Sequence, residues 1–176
     1  MANIDDFKAN LIGGGARANQ YRVTITPPPG IAIGLDVRRA SFLVTAAQLP
    51  ASTLGEIAVP FRGRNIYVAG DRPAPDPWSV TFYNDTDFMV RNAIERWMNG
   101  INNITDNEGL TDPNDYQVDG FVDHLDRDGN SIKQYQIRGC FPTSLDGIAL
   151  SYGTNDAIED FGVTLDYQYF ETDTTT

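Results

Sequence analysis

Apolar residues recur along this chain at two periods, and the places where one period gives way to the other mark out its elements. Tyr21, Val23 and Ile25 alternate with Arg22, Thr24 and Thr26, which predicts a half-buried strand that Pro27 to Gly30 then stops. The run Ala40 to Leu49 is apolar and β-branched, so it predicts a second strand, ended at Pro50. Two short strand-like runs follow, Glu56 to Phe61 and Asn65 to Ala69, around Arg62-Gly63-Arg64. Together they predict an extended, projecting hairpin over 49–70. After a proline-rich loop, Trp78, Val80 and Phe82 face one way and Ser79, Thr81 and Tyr83 the other, the clearest strand in the sequence. The period then changes: Val90, Ile94, Trp97 and Ile101 recur at helical spacing, widened by Ala93 and Met98, with Arg91, Glu95 and Arg96 outside the stripe. This spacing predicts an amphipathic helix over 87–101, capped by Asp85 or Thr86.

The second half reads as strands again. A polar loop from Asn102 to Asp115 leads to Val118 to Leu125 and Ile132 to Arg138, which flank the Asp126 to Asn130 turn. Further strands are predicted from about Thr143 to Leu150 and over Val163 to Tyr169, before a fraying tail at 171–176. At the other end, Ile4, Phe7 and Leu11 have helical spacing for barely two turns before three glycines, so 1–17 is read as an arm. Eight or nine strands and one helix, roughly, make one mainly β domain over 1–176. The expected architecture is an antiparallel β-sandwich or barrel with a flanking helix and extended arms. Several strands carry short polar faces: Asp119 and Asp123, Gln134 and Gln136, and Thr164, Asp166 and Gln168.

Charge narrows the function. Among 176 residues, 24 acidic against 13 basic side chains leave a net charge of −11, which repels phosphate and argues against nucleic-acid binding by attraction. Cys140 is the only cysteine and His124 the only histidine. An intramolecular disulfide and a thiolate-rich metal site are therefore excluded, and any serine or cysteine hydrolase would depend on His124. No signature frames Cys140 as a nucleophile. Asp123, Asp126, Asp128 and Gly129 resemble part of a calcium loop, but His124 and Tyr135 stand where acids are required. No catalytic residue, metal or cofactor is expected. The acidic N-terminus and the lack of a long apolar run predict synthesis in the cytoplasm without membrane insertion.

The linear order of several segments is itself informative. Ala46 to Ile57 with its Leu49-Pro50-Ala51-Ser52-Thr53, then Val59 to Arg64, Val68 to Arg72, Trp78 to Phe82, Glu95 to Met98, Tyr135 to Pro142 and Phe161 to Tyr167 resemble the tail tube proteins of T4-like contractile-tailed bacteriophages. The resemblance implies hexameric rings stacked into a hollow conduit inside a sheath, with baseplate and tape measure proteins as partners and genomic DNA passing without specific binding. It implies a virion protein made in the host cytoplasm, with a fold shared with type VI secretion tube proteins. On it, Ser52, Thr53, Leu54, Glu56, Arg62 and Arg64 are expected at the contact between rings. Asp119, Asp123, Gln134, Gln136, Thr164, Asp166 and Gln168 are expected to supply residues of the lumen wall. Two alternatives stay open: the tube of a type VI or related injection machine, and a freestanding β-sandwich that binds a ligand through Tyr152, Tyr167, Tyr169 and Phe170.

Overall fold

A computed structural model describes residues 3–175; Met1, Ala2 and Thr176, the ends of the predicted arm and tail, lie outside the described residues. The chain runs through α1 (Ile4–Asn10), a 3-10 turn (Ile12–Gly14), β1 (Tyr21–Ile25), α2 (Val37–Leu43), β2 (Val44–Ala47), β3 (Glu56–Phe61) and β4 (Arg64–Ala69). It continues through β5 (Trp78–Tyr83), α3 (Met89–Ile101), α4 (Pro113–Tyr116), β6 (Val118–Leu125), β7 (Ser131–Leu145), β8 (Asp160–Asp166) and β9 (Tyr169–Thr172). The main sheet has the order β1-β6-β7-β8-β5-β2, with β9 added to β7, while β3 and β4 pair only with each other. Every ladder is antiparallel.

One strand holds the two halves of the sheet together. The first part of β7 pairs with β6 and β9, and its last residues, Phe141 to Leu145, pair with β8. Gly139 lies at the changeover with φ +63°, where a Cβ would also sit 2.9 Å from the Gln168 side chain, so both backbone and space select glycine. The sheet curls there until its halves face each other. Val23, Val122 and Ile137 from one half and Val80, Val163 and Leu165 from the other share a single core. At Gly120 on β6, an added Cβ would come within 2.8 Å of the Trp78 ring on β5. The apolar stripe of α3 completes this core through Val90, Ala93, Ile94 and Trp97, and the Trp97 indole donates to the Tyr116 carbonyl at 2.9 Å.

Several sequence expectations need correction. The chain has more helix than one segment: α2 occupies Val37 to Leu43, so the predicted strand from Ala40 begins only at Val44. Asp36 explains the difference, because its carboxylate accepts from the Arg39 amide at 3.1 Å and caps a helix that buries Ala40. A second short helix, α4, interrupts the predicted loop after Asp112, whose side chain accepts from Asn114. The strands predicted at Ile132 to Arg138 and Thr143 to Leu150 are one, β7, ending at Leu145. Pro142 is tolerated because the register shifts beside it, between Pro142 and Ser144. The last predicted strand is divided into β8 and β9 at Tyr167 and Gln168, whose backbone N–H donates to the Arg138 carbonyl. Helix α3 starts at Met89, with Phe88 in the left-handed region and Asp85 accepting from the Met89 amide.

Candidate functional site

The feature least explained by folding is the β3–β4 hairpin. Its turn is Arg62-Gly63, with φ of +45° and +83°, the geometry of a tight two-residue hairpin. Ile57 is opposite Val68 and Val59 opposite Ile66, so these four apolar residues share one face, joined by Phe61 at the tip. Every residue from Glu56 to Ala69 is exposed. A lone hairpin is marginal in water, and a contiguous exposed apolar strip marks a contact surface. The root is anchored: Gly55 donates to the Asp71 carbonyl at 2.9 Å, Gly70 donates to the Gly55 carbonyl at 2.7 Å, and Arg72 donates to the Ser52 hydroxyl at 3.1 Å. The six residues expected at a ring contact therefore divide along the hairpin. Ser52, Thr53, Leu54 and Glu56 stand at its root, while Arg62 and Arg64 stand at its tip, with the Arg62 guanidinium over the Phe61 ring.

The seven polar wall candidates do not share one face. On β6 and β7, Gln134 donates to Asp123 at 2.8 Å and Gln136 to Asp119 at 3.2 Å. Arg138 extends this group by pairing with Asp119 at 2.6 Å and Glu171 at 2.9 Å. Hydrogen bonds to Glu171 and then Asp119 hold the Arg138 guanidinium even more firmly protonated than usual. Thr164 and Asp166 belong to the other half of the sheet, on the side of β8 opposite core residues Val163 and Leu165. There Thr164 is opposite Ser79 on β5, and Thr81 is opposite Gly162. Gln168 stands apart in the turn between β8 and β9, packed beside Gly139. Sequence reasoning missed Arg138, Glu171, Ser79 and Thr81 as members of these faces, although the alternation on β5 already pointed Ser79 and Thr81 away from the core.

The β2, β5 and β8 half carries no lysine or arginine, whereas β1 has Arg22 and β7 has Lys133 and Arg138. This contrast separates a face of hydroxyls and carboxylates from a face of mixed charge.

Asp126 and Cys140, two residues with possible chemistry, are otherwise engaged. The Asp126 carboxylate accepts from the Asp128 and Asn130 amides, both at 2.8 Å, and from the Asn130 side chain at 3.2 Å. The backbone and side-chain bonds from Asn130 are the main reason its pKa lies below the usual carboxylate range. Among the described residues, no group of three or more His, Cys, Asp and Glu side chains is placed to hold a metal ion. Cys140 is buried, and desolvation, with the Asp119 charge second, pushes its thiol up to about 12. It lies opposite Val118, whereas His124 lies opposite Lys133, about 20 Å further along the ladder at strand spacing. The two cannot form a dyad. Nor do the four aromatics form one exposed patch: Tyr167 is buried, Tyr169 is exposed at the start of β9, Phe170 packs on Tyr135, and Tyr152 is fully exposed on the loop before β8. No helix among the described residues is long and apolar enough to cross a membrane.

Comparison with known proteins finds the family described as "Phage tail tube protein", whose model matches residues 16–173. The chain is 30% identical over 173 residues to the tail tube protein of Serratia phage KSP90, covering 97% of this chain and 96% of that one. It is 32% identical over 174 residues to the tail tube protein of Enterobacteria phage T4, covering 96% and 99%. Among solved structures, the fold is similar to a chain of the sheath-tube complex of an extracellular contractile injection system, PVC, with a TM-score of 0.65, 12% identity and coverage of 94% and 95%. It is also similar to the tube terminating cap of the anti-feeding prophage, with a TM-score of 0.64, 18% identity and 90% of each chain covered.

Proposed function

Because the chain belongs to the phage tail tube protein family, we propose that copies of it close into hexameric rings that stack as the hollow inner tube of a contractile tail. A tail tube protein of this kind is a structural component, and no catalytic step is assigned to it. The observation that carries the reading is the β3–β4 hairpin, six residues a strand and wholly exposed on both, which gains a reason for its apolar face only when another copy covers it. Ser52, Thr53, Leu54 and Glu56 at the root and Arg62 and Arg64 at the tip are the proposed ring-to-ring contacts.

For the lumen, the cation-free half of the sheet is the better wall. A conduit for a polyanion must not grip it, and each lysine or arginine on the wall would hold a phosphate. We assign Thr164 and Asp166, with Ser79 and Thr81, to the lumen. Asp119, Asp123, Gln134 and Gln136, bound up with Arg138 and Glu171, are assigned away from the DNA path, and Gln168 to its margin. Sheath, baseplate and tape measure proteins are the proposed partners. The fold relative from a sheath-tube complex supports the first of these. The proposed site of action is the virion, after synthesis in the host cytoplasm. The relatives from Serratia phage KSP90 and phage T4 favour a phage tail over a secretion machine.

Electron microscopy of the purified chain over a range of concentrations, beside sedimentation velocity, tests the assembly. Six-fold rings or stacked tubes are expected, and closed rings of another symmetry would overturn the hexamer. A reconstruction that places Thr164 and Asp166 on the outer surface would overturn the lumen assignment.

A further inference from the structure

We propose that the receptor for the β3–β4 hairpin is the segment between β7 and β8, residues 146–159, together with the first residue of β8, in a second copy of this chain. The proposal rests on reading the hairpin as a contact between copies, and it names the surface that receives it. That segment surrounds an open groove of about 710 Å³. Leu150 and Ile158 in it are 80% and 68% exposed, and the Tyr152 side chain is fully exposed. Three large apolar side chains on one loop form a second unpartnered apolar surface, of the kind that contact sites present.

Charge selects the occupant. Asp156 on this segment and Asp160, where β8 begins, are exposed, and among the described residues neither is in an ion pair. Arg62 and Arg64 at the hairpin tip are equally without a carboxylate partner among the described residues of their own chain. On a molecule of net charge −11, a tip of two arginines is a local exception, and it matches a groove that is both apolar and acidic. The hairpin is an apolar strip with a cationic end; the groove is lined by exposed apolar side chains with Glu159 and Asp160 among them, and Asp156 lies on the same segment. Complementarity of this kind sets orientation and register more than raw affinity. A six-residue strand reaches about 20 Å, enough to carry the arginines well beyond their own body into a neighbour.

The test is a cross-linking experiment between two variants. Because Cys140 is buried and its thiol is pushed up to about 12, engineered cysteines react without competition from it. Arg64→Cys protein is mixed with Asp156→Cys protein, and in parallel with Asp128→Cys, which removes the same charge from the exposed β6–β7 turn. Mild oxidation and mass spectrometry then count the mixed disulfide. The expected result is formation at least about tenfold faster with Asp156→Cys than with Asp128→Cys, because docking of the apolar strip, with Arg62 and Asp160 still in place, holds the two engineered thiols near each other. Equal rates overturn the groove as receptor. A charge exchange separates this failure from that of the hairpin reading. Arg62→Glu with Arg64→Glu should block assembly, and adding Asp156→Arg with Asp160→Arg should restore it. Blockage without restoration discards the groove and leaves the hairpin contact standing. Unimpaired assembly of the arginine variant removes the hairpin contact, and the groove with it.

Discussion

Removing the hairpin should abolish assembly while leaving the subunit folded. The perturbation is excision of Glu56 to Ala69 with an Asn-Gly join between Gly55 and Gly70. The ends permit it, because Gly55 and Gly70 already exchange a 2.7 Å hydrogen bond and Gly55 bonds to Asp71 across the same root. No residue of the excised segment is buried and β3–β4 forms its own sheet, so no core contact is lost. What changes is the connection from β2 to β5, shortened from about 30 residues to about 18, which lowers the closure entropy by about 0.5 kcal/mol. For a domain of this size that raises Tm by about 1–2 °C. Circular dichroism melts measure the stability, and sedimentation velocity with electron microscopy measures the assembly. A fall in Tm of more than about 4 °C would refute the independence of the hairpin from the core, and tubes formed without it would refute its role.

Trp97→Ala should do the opposite, because the ring is completely buried and its indole N–H is satisfied by Tyr116; a loss of about 3–5 kcal/mol and a fall in Tm of about 10 °C or more are expected in thermal melts. Cys140 should resist alkylation in the native protein and react fully in denaturant, since burial raises its thiol to about 12; rapid labelling under native conditions would show the two sheet halves opening. Asp126→Ala should loosen the β6–β7 turn, seen as faster amide exchange at Asp128 and Asn130. Because the folded pKa of Asp126 lies below its unfolded value, its contribution is present above the unfolded pKa and is lost as pH falls through the folded one. The difference between wild type and variant should therefore shrink in acid.

Local chemistry was legible where one element carried its own signal. The alternation of Trp78 to Tyr83, the stripe of Val90, Ile94 and Trp97, and the turns at Arg62-Gly63 and Asp126 to Asn130 all correspond to elements of the structure. The misses share a cause: they depend on residues far away in sequence. Ala40 to Leu43 is as apolar as a strand, and only the Asp36 cap and the burial of Ala40 resolve it as helix. Pro142 reads as a break, yet the shifted register against β8 accommodates it. The polar positions at Asp119, Gln136, Thr164 and Asp166 were recognisable, but their division between two faces was not. It follows from the curl of the sheet at Gly139, and no short window of sequence records which ladders β7 will join.

That shared strand has a mechanical consequence. Fifteen residues of continuous backbone run from one half of the sheet into the other, so a load applied to one half is delivered to the other through covalent bonds before any packing contact must bear it. Pulled along its length, β7 would have to shear its ladders with β6, β8 and β9 together, breaking many hydrogen bonds at once instead of one after another. A subunit built this way resists tearing most strongly along one axis. Stacked with its strands along the bore, it would act as a stiff stave that holds its shape while the machinery around it shortens.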